Sequence, residues 1–266
     1  MTPGQPADCL RRRSLVRIGL AAAGLFGVFP VARAGDAPLR VLAPVSLREA
    51  LDAALALPGS PRATVVYGGT PALVRQVQQG LAADAIITAD EDWMDRLQAQ
   101  GRLVQGSRHV LARNRLALIA PAANRLPEVS DPAAFSTALR ETLVKGRMAV
   151  ADLQTVPAGR YALAALKRAG WETLVQGRLA PTDNVRAALR LVSRGEAVLG
   201  LVYLTDALSD PGVRVLHVFA SDFHPDIRLP VAALVAGRTE ASQHLIRWLG
   251  SDLAQAEFVR RGFVRP

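Results

Sequence analysis

Short apolar runs alternate with helix-period segments along most of this chain, the mark of a parallel sheet built from βα units. Strand-like runs are predicted at residues 39–42, 63–67, 85–88, 116–120, 148–151, 198–203, 213–219 and 231–235. Helix starts fall between them. Ser46-Leu47-Arg48-Glu49 reads as a capping box, opening a helix that Pro58-Gly59 ends. Thr70-Pro71 reads as an N-cap followed by a first-turn proline, with Gly80 as the stop. Asp90-Glu91-Asp92 places acid at the start of a helix carrying Trp93, Met94 and Leu97. Pro157 opens another helix, Asp183 or Asn184 caps a further one, and residues 241–259 read as one amphipathic stretch. No internal repeat of fixed period and no low-complexity linker interrupts the pattern.

Four stretches run from a β-like segment directly into a helix start: Ala43-Pro44-Val45-Ser46-Leu47, Tyr67-Gly68-Gly69-Thr70-Pro71, Ala151 to Gly159, and Ala180-Pro181-Thr182-Asp183-Asn184-Val185. A helix N-terminus carries unpaired N–H donors and the positive end of the helix dipole, so it attracts an anion without Lys or Arg. Several such ends aimed at one cleft would make an oxyanion receptor. Taken singly, each has a plainer reading: Ser46 and Thr70 as ordinary caps, Pro157 as an ordinary first-turn proline, Tyr203 as core.

The beginning of the chain reads as an export signal. Arg11-Arg12-Arg13 precede an apolar run from Ile18 to Phe29, and Val31-Ala32-Arg33-Ala34 fits an A-x-A cleavage site. Residues 1–34 are therefore expected to be removed in the periplasm. Arg12-Arg13 also fits a twin-arginine signal, and a Sec signal with an incidental Arg pair fits as well. Cleavage would remove Cys9, the one cysteine, so the mature protein would have neither thiolate chemistry nor disulfides. Much of the net charge of +9 leaves with that segment, because five arginines go against one aspartate. The remaining Arg and Lys are scattered and aromatics are only 5% of residues, so nucleic-acid binding is not expected.

Enzyme signatures are absent: no G-x-S-x-G, no P-loop and no dinucleotide fingerprint after a strand. His109, His217, His224 and His244 have no metal-ligand spacing. Asp84, Asp90 and Asp92 read as turn and cap residues before a cation site, and His224 as a lone exposed loop residue. No catalytic residue and no cofactor is expected.

At several positions the chain resembles the periplasmic molybdate-binding proteins, the solute receptors of molybdate ABC importers. The likeness runs from about Leu39 to Phe263. It is carried by Ala43-Pro44-Val45-Ser46-Leu47, Leu73-Val74-Arg75-Gln76, Ala83 to Asp90 with Trp93-Met94-Asp95, Val156-Pro157-Ala158-Gly159-Arg160-Tyr161, Leu179-Ala180-Pro181, Asn184-Val185-Arg186, and Leu199 to Tyr203 followed by Thr205-Asp206-Ala207; Phe258 and Gly262-Phe263 also fit.

The resemblance implies an α/β, two-lobed solute-binding protein of type II. Each lobe would be a mixed, mostly parallel sheet flanked by helices, with residues 35–114 plus 225–266 in one and 115–224 in the other. The ligand, molybdate or tungstate, would sit in the cleft between them, bound by Ser46, Thr70, Ala158, Val185 and Tyr203. A monomer handing its anion to the membrane permease of an ABC importer is the implied partnership. This chain has Pro44-Val45 where the family usually has alanines, and Gly68-Gly69-Thr70-Pro71 where a serine run is usual, which leaves the anion's identity open. Another oxyanion, or a small organic carboxylate held by an Arg fork from Arg160 or Arg186, is the alternative ligand. A periplasmic enzyme on this scaffold and an anion sensor without an importer are the remaining alternatives.

Overall fold

The computed structural model describes residues 37–266; the expected export signal, residues 1–34, lies outside the described residues. In chain order the first half runs β1 (Leu39–Pro44), a 3-10 turn (Val45–Leu47), α1 (Arg48–Leu55), β2 (Ala63–Gly68), α2 (Thr70–Gln78), β3 (Ala85–Ile87), α3 (Glu91–Ala99) and β4 (His109–Asn114). The second half runs β5 (Leu116–Pro121), α4 (Ser136–Val144), β6 (Met148–Ala151), α5 (Pro157–Arg168), β7 (Leu179–Thr182), α6 (Val185–Ser193), β8 (Leu199–Tyr203), α7 (Leu204–Leu208) and β9 (Val213–Val218). The chain then adds β10 (Ile227–Ala233), α8 (Thr239–Leu249) and α9 (Asp252–Arg260).

Two five-stranded sheets result, ordered β2-β1-β3-β10-β4 and β7-β6-β8-β5-β9. Each begins with three parallel strands. Each then places one antiparallel strand, β10 or β5, before the edge strand. The two sheets therefore share one plan, in which β1, β2, β3 and β4 correspond to β6, β7, β8 and β9. The strands β5 and β10 cross over, each following the edge strand of one sheet and pairing inside the other. The plan is repeated although the sequence shows no repeat, because it depends on apolar positions and junctions rather than on particular residues. Each sheet with its helices makes a lobe.

Helix α2 shows how the layers form. Leu73, Val74 and Val77 share its inner face and pack with Leu42, Ile86, Met94 and Leu97. Each such side chain, fully buried, contributes about 1.5–3 kcal/mol. Gly80, at φ 91°, ends the helix in the left-handed region, as its position suggests.

The strand runs read from the sequence coincide with β1, β2, β3, β5, β6, β8 and β9 to within a few residues, and the eighth falls on β10. Edge strand β4 was not expected, because Arg113 and Asn114 obscure its pattern. Helices α4 and α7 were likewise not anticipated. The stretch 241–259 is two helices rather than one: it breaks at Gly250, and the Ser251 side chain accepts from the Ala254 N–H to start α9.

Asp84 clamps the first lobe together. Its carboxylate accepts from the Arg40 N–H (2.7 Å), the Arg238 N–H (2.8 Å) and the Arg238 guanidinium (3.1 and 3.0 Å). Arg238 also donates to the carbonyls of Ala37 and Pro38, holding the start of β1. Burial pushes the Asp84 carboxyl upward, but the bonds from Arg238 and Arg40 outweigh it and hold the group below its usual value. A depressed carboxylate stabilises the fold above its unfolded pKa and loses that contribution as pH falls through the folded one. Asp84→Asn is expected to cost about 1–3 kcal/mol near neutral pH. In urea unfolding, the gap between variant and wild type should close as pH drops below about 4.

Candidate functional site

Parallel strands that start helices at their carboxyl ends aim those helix N-termini at one side of a sheet. In the first lobe Pro44 pairs with Gly68, so β1 and β2 end level, and Ser46 and Thr70 each lie two residues beyond. In the second lobe Ala158 opens α5 after β6, Val185 opens α6 after β7, and Tyr203 ends β8 at the start of α7. All five residues line one cavity, together with Pro44, Val45, Gly68, Gly69, Ala89, Val156, Pro157 and Asn184. Ala89, just past β3, stands in the first lobe where Tyr203 stands in the second. Every one of the six corresponding strand-to-helix junctions thus reaches the cavity.

The cavity is small, with about 20 Å³ open to the centre of a water-sized guest, far below the roughly 300–1,000 Å³ of a pocket for a drug-sized molecule. None of its lining residues is Lys, Arg, His, Asp or Glu. What it offers is donors. Ser46, Thr70, Ala158, Val185 and Tyr203 are all buried. The first N–H groups of α2, α5 and α6 have no acceptor within their own helices. The Ser46 Oγ and the Tyr203 phenol oxygen are buried with no hydrogen-bond partner in the protein. Thr70 Oγ1 accepts from the Ala89 N–H at 3.2 Å, which leaves its own O–H to donate. Burial pushes the Tyr203 phenol well above its ordinary range, so it keeps its proton at neutral pH.

Two close backbone approaches shape the cavity. A Cβ on Gly69 would lie 2.8 Å from the Asp183 carbonyl oxygen, in the opposite lobe. A Cβ on Gly159 would lie 2.1 Å from the Asp152 oxygen and 2.4 Å from the Ala151 oxygen. Only glycine lets α5 start this close to β6, and only glycine lets the two lobes meet at Gly69.

Several local expectations change in the folded chain. The capping box at Ser46 and Glu49 does not form: the Ser46 hydroxyl has no hydrogen-bond partner, and Glu49 reaches Arg186 in the other lobe. Thr70 is the first residue of α2 rather than its cap, which is Gly69, and its hydroxyl serves Ala89. Pro157 is the first residue of α5 as expected, and Asn184 caps α6 by accepting from the Ala187 N–H at 3.0 Å. Asp90 caps α3, accepting from the Trp93 N–H at 3.0 Å. His224 is buried rather than exposed, packed edge-on to Tyr161 with Nδ1 2.8 Å from the Pro225 oxygen.

The arginines proposed for a carboxylate fork are engaged elsewhere. Arg186 binds Glu49 through both terminal nitrogens, at 3.0 and 2.6 Å, and binds Asp206 through Nε. Arg160 binds Asp92 at 2.7 Å and also Asp90. Burial pushes the Asp206 carboxyl up to about 6 against the pull of Arg186. Among the described residues no group of three or more His, Cys, Asp or Glu could hold a metal ion. No described helix is long and apolar enough to cross a membrane. Gly69 falls inside the second strand-to-helix junction and Ala89 inside the family-like stretch, but neither is singled out there as a contributor, since their roles come from contacts between distant segments.

Residues 39–264 match the family model described as bacterial extracellular solute-binding protein. The molybdate-binding protein ModA of Escherichia coli K12 is 34% identical over 94% of this chain and 98% of its own length. The ModA of Haemophilus influenzae is 32% identical over 96% and 99%. Among solved structures, the periplasmic molybdate-binding protein of Azotobacter vinelandii superposes with a TM-score of 0.72 at 19% identity, over 86% of this chain and 99% of that one. The substrate-binding domain of a putative molybdenum ABC transporter from Clostridium difficile gives 0.66 at 26% identity, over 86% and 99%. These relatives are solute-binding receptors rather than enzymes, and their two-lobed architecture is the one found here. With its two sheets, its crossed strands and its cavity at the strand ends, the chain belongs to the bacterial extracellular solute-binding protein family.

Proposed function

We propose that this protein is a periplasmic receptor for a fully deprotonated tetrahedral oxyanion, molybdate and also tungstate, which it delivers to an ABC importer. The observation that carries this reading is a small cavity lined by buried N–H and O–H donors from both lobes, without one charged side chain. Ser46, Thr70 and Tyr203 give hydroxyl donors, and Ala158 and Val185 give backbone N–H groups. The ModA relatives, named for molybdate binding, support the choice of anion. Removal of an export signal near Ala34, a monomeric mature chain and a membrane permease as partner complete the proposal.

The chemistry selects by protonation and size. A charge-assisted hydrogen bond contributes about 1.5–3 kcal/mol. Four or five of them, after the costs of association and closure, reach the about −8 kcal/mol of a micromolar complex. Phosphate carries a proton at neutral pH that would meet donors only, and such an unpaired buried group is costly. Sulfate is unprotonated, so it is excluded by its smaller radius. A carboxylate ligand would want a guanidinium fork, and Arg160 and Arg186 are both held by carboxylates.

Calorimetry should give low-micromolar or tighter binding of molybdate and tungstate, with sulfate and phosphate weaker by at least about tenfold. Equal responses to all four, or none, would remove the assignment. Tyr203→Phe should weaken molybdate binding by about 1–3 kcal/mol and leave the unfolding transition in place; unchanged affinity would mean that the phenol does not reach the anion. Gly159→Ala should displace the start of α5, lowering stability by about 1–3 kcal/mol and weakening binding further than its stability loss explains. Wild-type affinity in that variant would remove the Ala158 N–H from the site.

A further inference from the structure

Arg186 is the second residue of α6 and Arg160 the fourth of α5, so both cations sit at the positive ends of helices. A cation there is disfavoured by the helix dipole, and helix stability does not account for them. What compensates lies across the cleft. Glu49, on α1 of the first lobe, takes both terminal nitrogens of Arg186, while Asp206 of the second lobe holds its Nε. Asp90 and Asp92, at the start of α3 in the first lobe, take Arg160. From the same two segments as the Asp92–Arg160 pair, the Trp93 indole N–H donates to the Thr155 carbonyl of the other lobe at 3.1 Å. One charge pair involves α1 and the other the start of α3. They join lobe to lobe through the same two helices that present Ala158 and Val185.

We propose that Glu49–Arg186 and Asp92–Arg160 are paired cleft latches, charge pairs that span the lobes only when the clamp is shut and that set how slowly the guest leaves. The four residues are positioning residues: none lines the cavity, and they act through the helix ends they hold. Arg186 is the more buried latch, with 13% of its side chain exposed. When the lobes part it keeps Asp206 and gives up Glu49 to water, so opening leaves no buried charge without a partner. Arg160 likewise gives up Asp90 and Asp92, while Asp90 keeps its place capping α3. The release rate is thereby tuned by groups that never touch the ligand.

The proposal rests on the clamp reading above, and its test separates the two. Trp93 reports closure by fluorescence, since its indole bond spans the lobes. Stopped-flow dissociation of molybdate would be compared for wild type, Glu49→Gln, Asp92→Asn and the double variant. The double variant should release molybdate about tenfold faster, equivalent to ~1.4 kcal/mol. Its association rate should stay within about twofold, and its ligand-free melting temperature should not change. Added salt should speed release from wild type more than from the double variant, in which Asp90 still holds Arg160. An unchanged dissociation rate, or an effect confined to association, overturns the latches. Should wild type give no molybdate signal at all, the oxyanion reading fails, and the latches are read from X-ray scattering of the protein alone. A larger radius of gyration in the double variant then supports them, and equal radii overturn them.

Discussion

Everything about this cleft depends on hydrogen-bond donors that the fold buries without giving them acceptors. The first N–H groups of a helix cannot be satisfied within it. Here several helix starts are directed into one small space, beside the hydroxyls of Ser46 and Tyr203 that no protein group meets. A buried donor left unmade costs about 1–3 kcal/mol, so a guest made entirely of acceptors would stabilise the site. The absence of charged side chains in the lining follows from the same requirement. A fixed cation would add affinity for any anion, whereas a ring of neutral donors discriminates by geometry and protonation.

The architecture supplies that ring by building one motif twice. Three parallel strands in each lobe end at the cleft, and each ends in a helix start, giving Ser46, Thr70 and Ala89 on one side against Ala158, Val185 and Tyr203 on the other. The third pair is unequal. Tyr203 lines the cavity and carries a buried phenol without a protein partner, while Ala89 turns its N–H to the Thr70 hydroxyl and so leaves that hydroxyl to donate elsewhere. Exchange of β5 and β10 ties the lobes through two short crossings, between Asn114 and Leu116 and between Val218 and Ile227.

Charge is present nearby but is kept out of the cavity lining. Four carboxylates from both lobes neutralise Arg160 and Arg186 at the cleft edge. Under the proposed function, this arrangement would separate two tasks that a single arginine fork would merge: recognition by neutral donors within, and closure by ion pairs at the rim.

The βα alternation, the apolar strand runs and the glycine and proline punctuation were legible in the sequence because they follow from local periodicity and backbone preference. The five donor candidates were legible through the strand-to-helix junctions together with the family resemblance, and they converge on one cavity. Local rules failed where a side chain had a distant partner. Ser46 and Glu49 carry the letters of a capping box, yet one faces the cavity and the other crosses to Arg186. His224, read as exposed, is buried against Tyr161. Gly69 and Ala89 lie in stretches the sequence marks, yet their own roles are not legible there, since the carbonyl that Gly69 clears and the hydroxyl that Ala89 serves belong to other segments. The chain by itself determined which elements form and which ends carry free donors. Only the tertiary structure decided which of those donors share a cavity and which charges are spent on one another, because both depend on distances between residues that the sequence holds far apart.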